Sequence, residues 1–330
     1  AGGILDDTIL TVEPGPLGVT RLRVFLLGGQ SNALGSNQIE PSNLPTSPEN
    51  LQLPREDVPY YFGGNNVKDS PNPYERVIGL QPLTRFGPEI TMARGLADGL
   101  ADGVTTQVAI IKYARGATNL YENWKAGGDA TPTGDGAAYQ WFQISVDEGL
   151  AALAAKYPNA IIEIEGMLWV QGEWDSLQLS NAQNYETNLT DFIADIRLTY
   201  GADLPFVISR LSSGQTYLDA NSLPVVQAAQ DAVAASDPLA SVFNTASFDL
   251  VSDALHSNET GLQQIGNAAS VQLLDFLNVP TPPQISNLDP AHQSSGHLPT
   301  DNLSITFDEN VAFGTGNITL CQSGIGRAHD

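Results

Sequence analysis

One histidine occurs in residues 1–279, His256, and it stands three residues after an aspartate in Val251-Ser252-Asp253-Ala254-Leu255-His256. Histidine is the side chain best suited to take and return a proton near neutral pH. Asp253 is close enough in sequence to orient its ring. Far upstream, the apolar run Val24-Phe25-Leu26-Leu27 ends in Gly28-Gly29-Gln30-Ser31-Asn32, a small-residue turn that presents a serine at a strand end. A serine hydroxyl is inert at its own pKa and becomes a nucleophile only with a base within hydrogen-bond reach. Ser31, Asp253 and His256 therefore predict a serine esterase. The competing readings are a serine that caps a turn and a surface histidine beside an N-cap aspartate. No Gly-x-Ser-x-Gly elbow surrounds Ser31, so the usual α/β-hydrolase arrangement is not expected.

These residues need a frame. Five short apolar runs, 23–28, 107–113, 161–170, 205–210 and 241–246, read as buried strands. Helical apolar spacing runs through 88–102, 138–157, 181–200, 223–236 and 259–278. Strands alternating with helices imply a doubly wound parallel sheet, with ligands beyond the C-terminal strand ends. Ser31, Gly116 and Gln171 follow the first three strands, which places them there.

Residues 36–86 show no regular period, and a loop of that length is expected to be functional or a lid. Residues 117–136 form a second irregular insertion. A Pro-rich linker at 280–283 precedes two alternating runs, 284–288 and 303–307. This predicts a main domain over 1–279 and a short β segment over 280–330. The segment is too short for an immunoglobulin-like sandwich of roughly 100 residues, and residues 321–330 read as non-native.

The 330 residues carry a formal net charge of −23, which disfavours nucleic acid and anionic membranes as partners. No apolar stretch approaches the ~20 residues of a spanning helix. The chain opens on Ala1, compatible with a removed signal peptide although none is visible. The single cysteine, Cys321, cannot form an internal disulfide. A Cys/His metal cluster is excluded from the main domain, and no cofactor or metal is expected. The sequons beginning at Asn188, Asn258, Asn302 and Asn317 read as chance matches.

Gly28-Gly29-Gln30-Ser31-Asn32, Gly116-Ala117-Thr118, Trp169-Val170-Gln171-Gly172-Glu173-Trp174-Asp175 and Asp253-Ala254-Leu255-His256 together resemble the blocks of the SGNH hydrolases. The resemblance covers about residues 20–279 and is nearest to the carbohydrate esterase family six and sialate O-acetylesterase-like branch. It implies a flavodoxin-like three-layer sandwich with a central five-stranded parallel sheet. It also implies O-acetyl ester hydrolysis, commonly on plant polysaccharides such as acetylxylan, by a Ser-His-Asp triad. The spacing of that family favours Asp253 over Asp249 as the orienting acid. The tail resembles the start of a bacterial immunoglobulin-like domain.

On this reading the oxyanion hole comprises the N–H groups of Ser31 and Gly116 and the Gln171 amide. The competing readings make Gly116 a turn glycine and Gln171 a satisfied amide. The family's wider pattern has asparagine in the third block; the glutamine here needs a support, for which Glu173 or Arg115 is available. Gln30, Asn32, Arg115, Glu173, Trp124 and Trp174 form the supporting or substrate-binding set. Tyr121 and Trp169 are further candidates for stacking on sugars, against an ordinary packing role. A paired-carboxylate glycosidase built on Glu173 and Asp175 leaves Ser31 and His256 unexplained. Glu89 is offered as a contact to the active-site loops, and Asp129 and Asp135 as a calcium pair. The expectation is a secreted or periplasmic bacterial acetylesterase acting on O-acetylated oligo- or polysaccharide. One alternative is a sialate O-acetylesterase that uses Arg115, Arg85 or Arg55; another is an inactive carbohydrate-binding domain.

Overall fold

Leu22, Val24 and Leu26 alternate with Phe25 and Leu27 along Arg21–Gly29, and all five side chains are buried, so this strand, β1, is covered on both faces. The computed structural model describes residues 18–35, 38–63, 77–83, 86–278, 285–289 and 304–307. In it β1 lies at the centre of a seven-stranded sheet. The other strands are β2 (Arg55–Phe62), β3 (Ile78–Leu80), β4 (Thr106–Ala114), β5 (Ile161–Val170), β6 (Phe206–Ser209) and β7 (Ala240–Phe243). Their order is β3-β2-β4-β1-β5-β6-β7, and every neighbouring pair is parallel except β2 with β3.

The five expected strands form the contiguous set β4-β1-β5-β6-β7, which is the 2-1-3-4-5 order of flavodoxin-type sheets. The sheet is two strands wider than expected, because part of the segment 36–86 folds as β2 and β3. Pro59 and three charged residues mask β2 in the sequence. Pairing with β4 spans Tyr60–Phe62, beyond Pro59, so the missing donor breaks no bond of that ladder. Residues 36–37, 64–76 and 84–85, and with them much of the lid expectation and Arg85, lie outside the described residues.

Seven α-helices are described: α1 (Ser31–Leu34), α2 (Glu89–Leu100), α3 (Ala137–Lys156), α4 (Leu179–Ala182), α5 (Tyr185–Tyr200), α6 (Leu223–Ser236) and α7 (Glu259–Phe276). One face of the sheet buries Phe142 and Val146 of α3, Phe192 and Ile196 of α5, and Val226 of α6. The opposite face buries Ile90 and Leu96 of α2 with Leu262 and Leu273 of α7. Each such side chain contributes about 1.5–3 kcal/mol relative to exposure. Asn258 caps α7 by accepting the Gly261 N–H at 2.9 Å.

By its contacts the chain divides into Ala1–Thr281 and Pro282–Asp330. In the second unit β8 (Ile285–Asp289) and β9 (Ser304–Phe307) pair antiparallel. Cys321 and residues 321–330 lie outside the described residues. Among the described residues no helix is long and apolar enough to cross a membrane.

Candidate active site

The parallel strands β4, β1, β5, β6 and β7 all end at the same edge of the sheet, and the chemistry-bearing residues sit in the loops that leave it. Ser31 is the first residue of α1, separated from the end of β1 by Gln30 alone. The turn that delivers it depends on Gly29, whose φ is +146° and whose added β-carbon would lie 2.1 Å from the Val170 carbonyl oxygen. A side chain there is excluded both by conformation and by space.

His256 arrives from the loop after β7. Its Nε2 lies 3.1 Å from Ser31 Oγ, and its Nδ1 lies 2.7 Å from Asp253 Oδ2. Asp253 Oδ1 accepts the Leu255 and His256 N–H groups at 2.8 and 2.9 Å, so one short turn carries both the carboxylate and the imidazole. Ala254 between them adopts a left-handed φ of 52°, a strained conformation held by this bonding. Burial alone would raise the Asp253 carboxyl, but the imidazole and the two N–H groups outweigh it and hold it below its usual range. An ionised Asp253 fixes the proton on Nδ1 and leaves the Nε2 lone pair facing the serine. The carboxylate at this imidazole is Asp253; Asp249 instead offers its carbonyl to the Asn258 N–H.

Asn32 and Glu173 clamp this loop from beneath. Asn32 accepts the Ser257 N–H at 2.9 Å and donates to the Leu255 carbonyl at 3.3 Å and to Glu173 Oε1 at 2.5 Å. Gln215 donates to the same Leu255 carbonyl at 2.8 Å. Burial pushes the Glu173 carboxyl up, against the pull of Asn32. Its Oε2 has no hydrogen-bond partner among the described residues. Replacing Asn32 by alanine removes bonds to Leu255, Ser257 and Glu173 at once. The expected cost is about 2–3 kcal/mol of stability, for buried groups left unsatisfied. Turnover should also fall about a hundredfold, the effect of a small misplacement of reacting groups. Thermal unfolding and aryl acetate kinetics check both, and turnover within twofold of wild type would contradict the clamp.

Gly116 faces the serine: a β-carbon added to it would lie 3.9 Å from Ser31 Cβ. Gln171 does not meet the expectation of an oxyanion donor. It is fully buried, and its amide nitrogen donates to Asp175 Oδ2 at 2.6 Å, the Thr118 carbonyl at 3.1 Å and Gln30 Oε1 at 3.3 Å. Two amide hydrogens already have three acceptors, and its oxygen takes the Tyr185 hydroxyl at 3.0 Å. Its support is therefore Asp175 rather than Glu173 or Arg115. Burial pushes Asp175 up to about 6 despite the bonds it accepts from Gln171, Leu120 and Tyr121.

The other candidate residues divide between the core and the surface. Trp124 is wholly buried, with its indole N–H on Thr118 at 2.9 Å and its ring 5.0 Å from that of Trp169, itself buried, so neither stacks on a sugar. Trp174 and Tyr121 are exposed. Glu173 and Asp175 are both buried in separate hydrogen-bond networks, so they cannot flank a glycosidic bond. Arg55 pairs with Asp98 at 2.7 Å and Asp57 at 3.2 Å. Arg115 is half-buried beside Gly116 and pairs with no carboxylate among the described residues. Asp129 bonds Thr131, and Asp135 bonds Gly127 and Gln143; no group of three or more metal-binding side chains converges among the described residues. Glu89 is buried against Lys112 at 2.7 Å, and Lys112 reaches the Leu34 carbonyl at the end of α1.

Three residues of the site carry no readable sequence signal. Gln38 donates to Asp253 Oδ2 at 2.8 Å, Gln215 holds Leu255, and the Tyr217 N–H meets the Ala254 carbonyl at 3.3 Å. Each lies in an irregular loop, where no period or motif marks it.

A family model described as carbohydrate esterase, sialic acid-specific acetylesterase, matches residues 21–275. No curated protein matches the sequence. Among solved structures, a protein of Arabidopsis thaliana is similar at 19% identity and a TM-score of 0.56, covering 77% of this chain and 98% of its own. A carbohydrate acetylesterase from Xanthomonas citri is similar at 16% identity and a TM-score of 0.54, covering 81% of this chain and 60% of its own. NanS gives 14% identity and a TM-score of 0.54, with 80% and 99% covered. At these identities the likeness is one of fold.

Proposed function

The chain belongs to the carbohydrate esterase, sialic acid-specific acetylesterase family, and from that premise we propose that it deacetylates a plant-type polysaccharide such as acetylxylan through Ser31, His256 and Asp253. That it is a carboxylic ester hydrolase acting on acetylated carbohydrate follows from the family itself. The observation that supports the catalytic assignment is the unbroken line from Ser31 Oγ to His256 Nε2 at 3.1 Å and from Nδ1 to Asp253 at 2.7 Å. The neutral polymer is favoured by the net charge of −23, which disfavours an anionic sugar.

In this mechanism Ser31 Oγ attacks the acetyl carbonyl carbon as His256 Nε2 takes the hydroxyl proton. The carbonyl oxygen becomes an oxyanion, received by the N–H groups of Ser31 and Gly116. The bond from carbon to the sugar oxygen then breaks, and His256 returns its proton to that oxygen. Water attacks the acetyl-serine in turn. His256 takes a water proton and hands it to Ser31 Oγ, and acetate leaves. Asp253 stays ionised throughout and stabilises the imidazolium. A polymeric substrate is met outside the cytoplasm, which supports a secreted or periplasmic protein.

A second reading, an O-acetylated sialic acid, is favoured by one observation. Arg115 beside Gly116 is a cation without a carboxylate partner among the described residues, suited to a sugar carboxylate. Acetate release from acetylxylan and from O-acetylated sialic acid, followed by NMR, separates the two. The expected result is faster release from acetylxylan; release from the sialic acid alone would contradict it.

A further inference from the structure

Aromatic side chains in this protein are mostly core. Trp124, Trp169, Phe142 and Phe192 pack on one another in contacts of 4.6–6.2 Å between ring centroids. Among the described residues, the exposed large aromatics are Tyr121, Trp174 and Tyr217, at 49%, 41% and 61% exposure. They are not scattered. Tyr121 lies in the loop leaving β4, Trp174 in the loop leaving β5 and Tyr217 in the loop leaving β6. All three strands end at the edge from which Ser31 and His256 emerge.

Two of the three are tied through their backbone to the site, and the third to the buried network beneath it. The Trp174 N–H donates to Gln30, the neighbour of Ser31, at 3.2 Å. The Tyr217 N–H donates to the carbonyl of Ala254, inside the Asp253–His256 turn, at 3.3 Å. The Tyr121 N–H donates to Asp175, the support of Gln171, at 3.2 Å. Single exposed apolar residues are ordinary, but three exposed aromatics gathered on the loops of one sheet edge, beside the Ser31–His256 pair, mark a surface that can meet a partner with an apolar face. The partner chemistry that suits an aromatic face is a pyranose ring, whose C–H bonds carry the slight positive charge the negative π-face attracts.

We propose that Tyr121, Trp174 and Tyr217 form a stacking rim that grips the sugar rings flanking the acetylated residue of a neutral polysaccharide. The loops that carry the three leave β4, β5 and β6, and β4 to β6 is three strand spacings, roughly 14 Å, at the sheet edge, a scale that suits a chain rather than a single sugar. A neutral chain is favoured over a polyanion by the net charge of −23. The proposal rests on the Ser31 esterase reading for the position of the acetylated residue.

The test is calorimetric titration of the Ser31→Ala protein, full chain, with acetylated xylo-oligosaccharide. Adding Trp174→Ala or Tyr217→Ala should weaken binding about tenfold each, and Trp174→Phe should restore it to within about threefold. Unchanged affinity in both alanine variants would overturn the rim. So would absence of xylo-oligosaccharide binding by Ser31→Ala itself, or binding of O-acetylated sialic acid alone. Acetate release by the unsubstituted protein, measured in parallel, shows whether the esterase reading stands whatever the rim does.

Discussion

Ser31→Ala is expected to lower kcat/KM for p-nitrophenyl acetate by about three orders of magnitude or more while leaving thermal stability close to that of the unsubstituted protein. The rate follows from the loss of the attacking oxygen. Without it, only binding and the oxyanion donors assist attack by water, as with triad members elsewhere. Stability is spared because Ser31 Oγ has one described partner, His256 Nε2, on a half-buried residue. His256→Ala should cost a similar factor, and the double variant should be little worse than either single one, because the groups act as a unit. Turnover that survives Ser31→Ala would remove Ser31 from the mechanism. Retained polysaccharide binding with no acetate release by the unsubstituted protein would favour a binding module.

The largest effect on stability is expected at Lys112, far from solvent beneath α1. Its ammonium lies 2.7 Å from Glu89 Oε2, and both residues are essentially inaccessible. Glu89 also accepts the Gly87 N–H at 2.9 Å on one oxygen and 3.0 Å on the other. Lys112→Met leaves a carboxylate buried without its cation, which costs about 3–5 kcal/mol. For a domain of this size that lowers Tm by about 10 °C. The double variant Lys112→Met/Glu89→Gln removes both charges and keeps an acceptor for Gly87. It should recover most of the loss, because the penalty lies in the unpaired charge rather than in the missing pair. Calorimetry on the four proteins of this cycle decides. A single variant within 1 kcal/mol of wild type, or a double variant as unstable as the single, would contradict the assignment.

The sheet was readable where burial on both faces writes a continuous apolar run, as in Val24–Leu27 and Val108–Ile111. It was not readable at β2, where proline and charged residues interrupt a run whose paired part is three aromatic residues. Asp253 and His256 were legible because they are neighbours in sequence and His256 stands alone in its domain. For Gln171, position at a strand end and the family's third block mark the residue but do not say which way its amide points. Its donors turn inward to Asp175 and Thr118. Trp124 failed for a related reason: an irregular insertion looked exposed, yet its indole fills the space beside Trp169. Gln38, Gln215 and Tyr217 reach the site through tertiary contacts that no local pattern encodes.

The central claim is that His256 makes Ser31 the nucleophile. Labelling with a fluorophosphonate that reacts only with activated serines, followed by peptide mass mapping, tests it most directly. Modification should fall on Ser31 and be lost in His256→Ala. Modification at another serine, or equal labelling of Ser31 without His256, would contradict it.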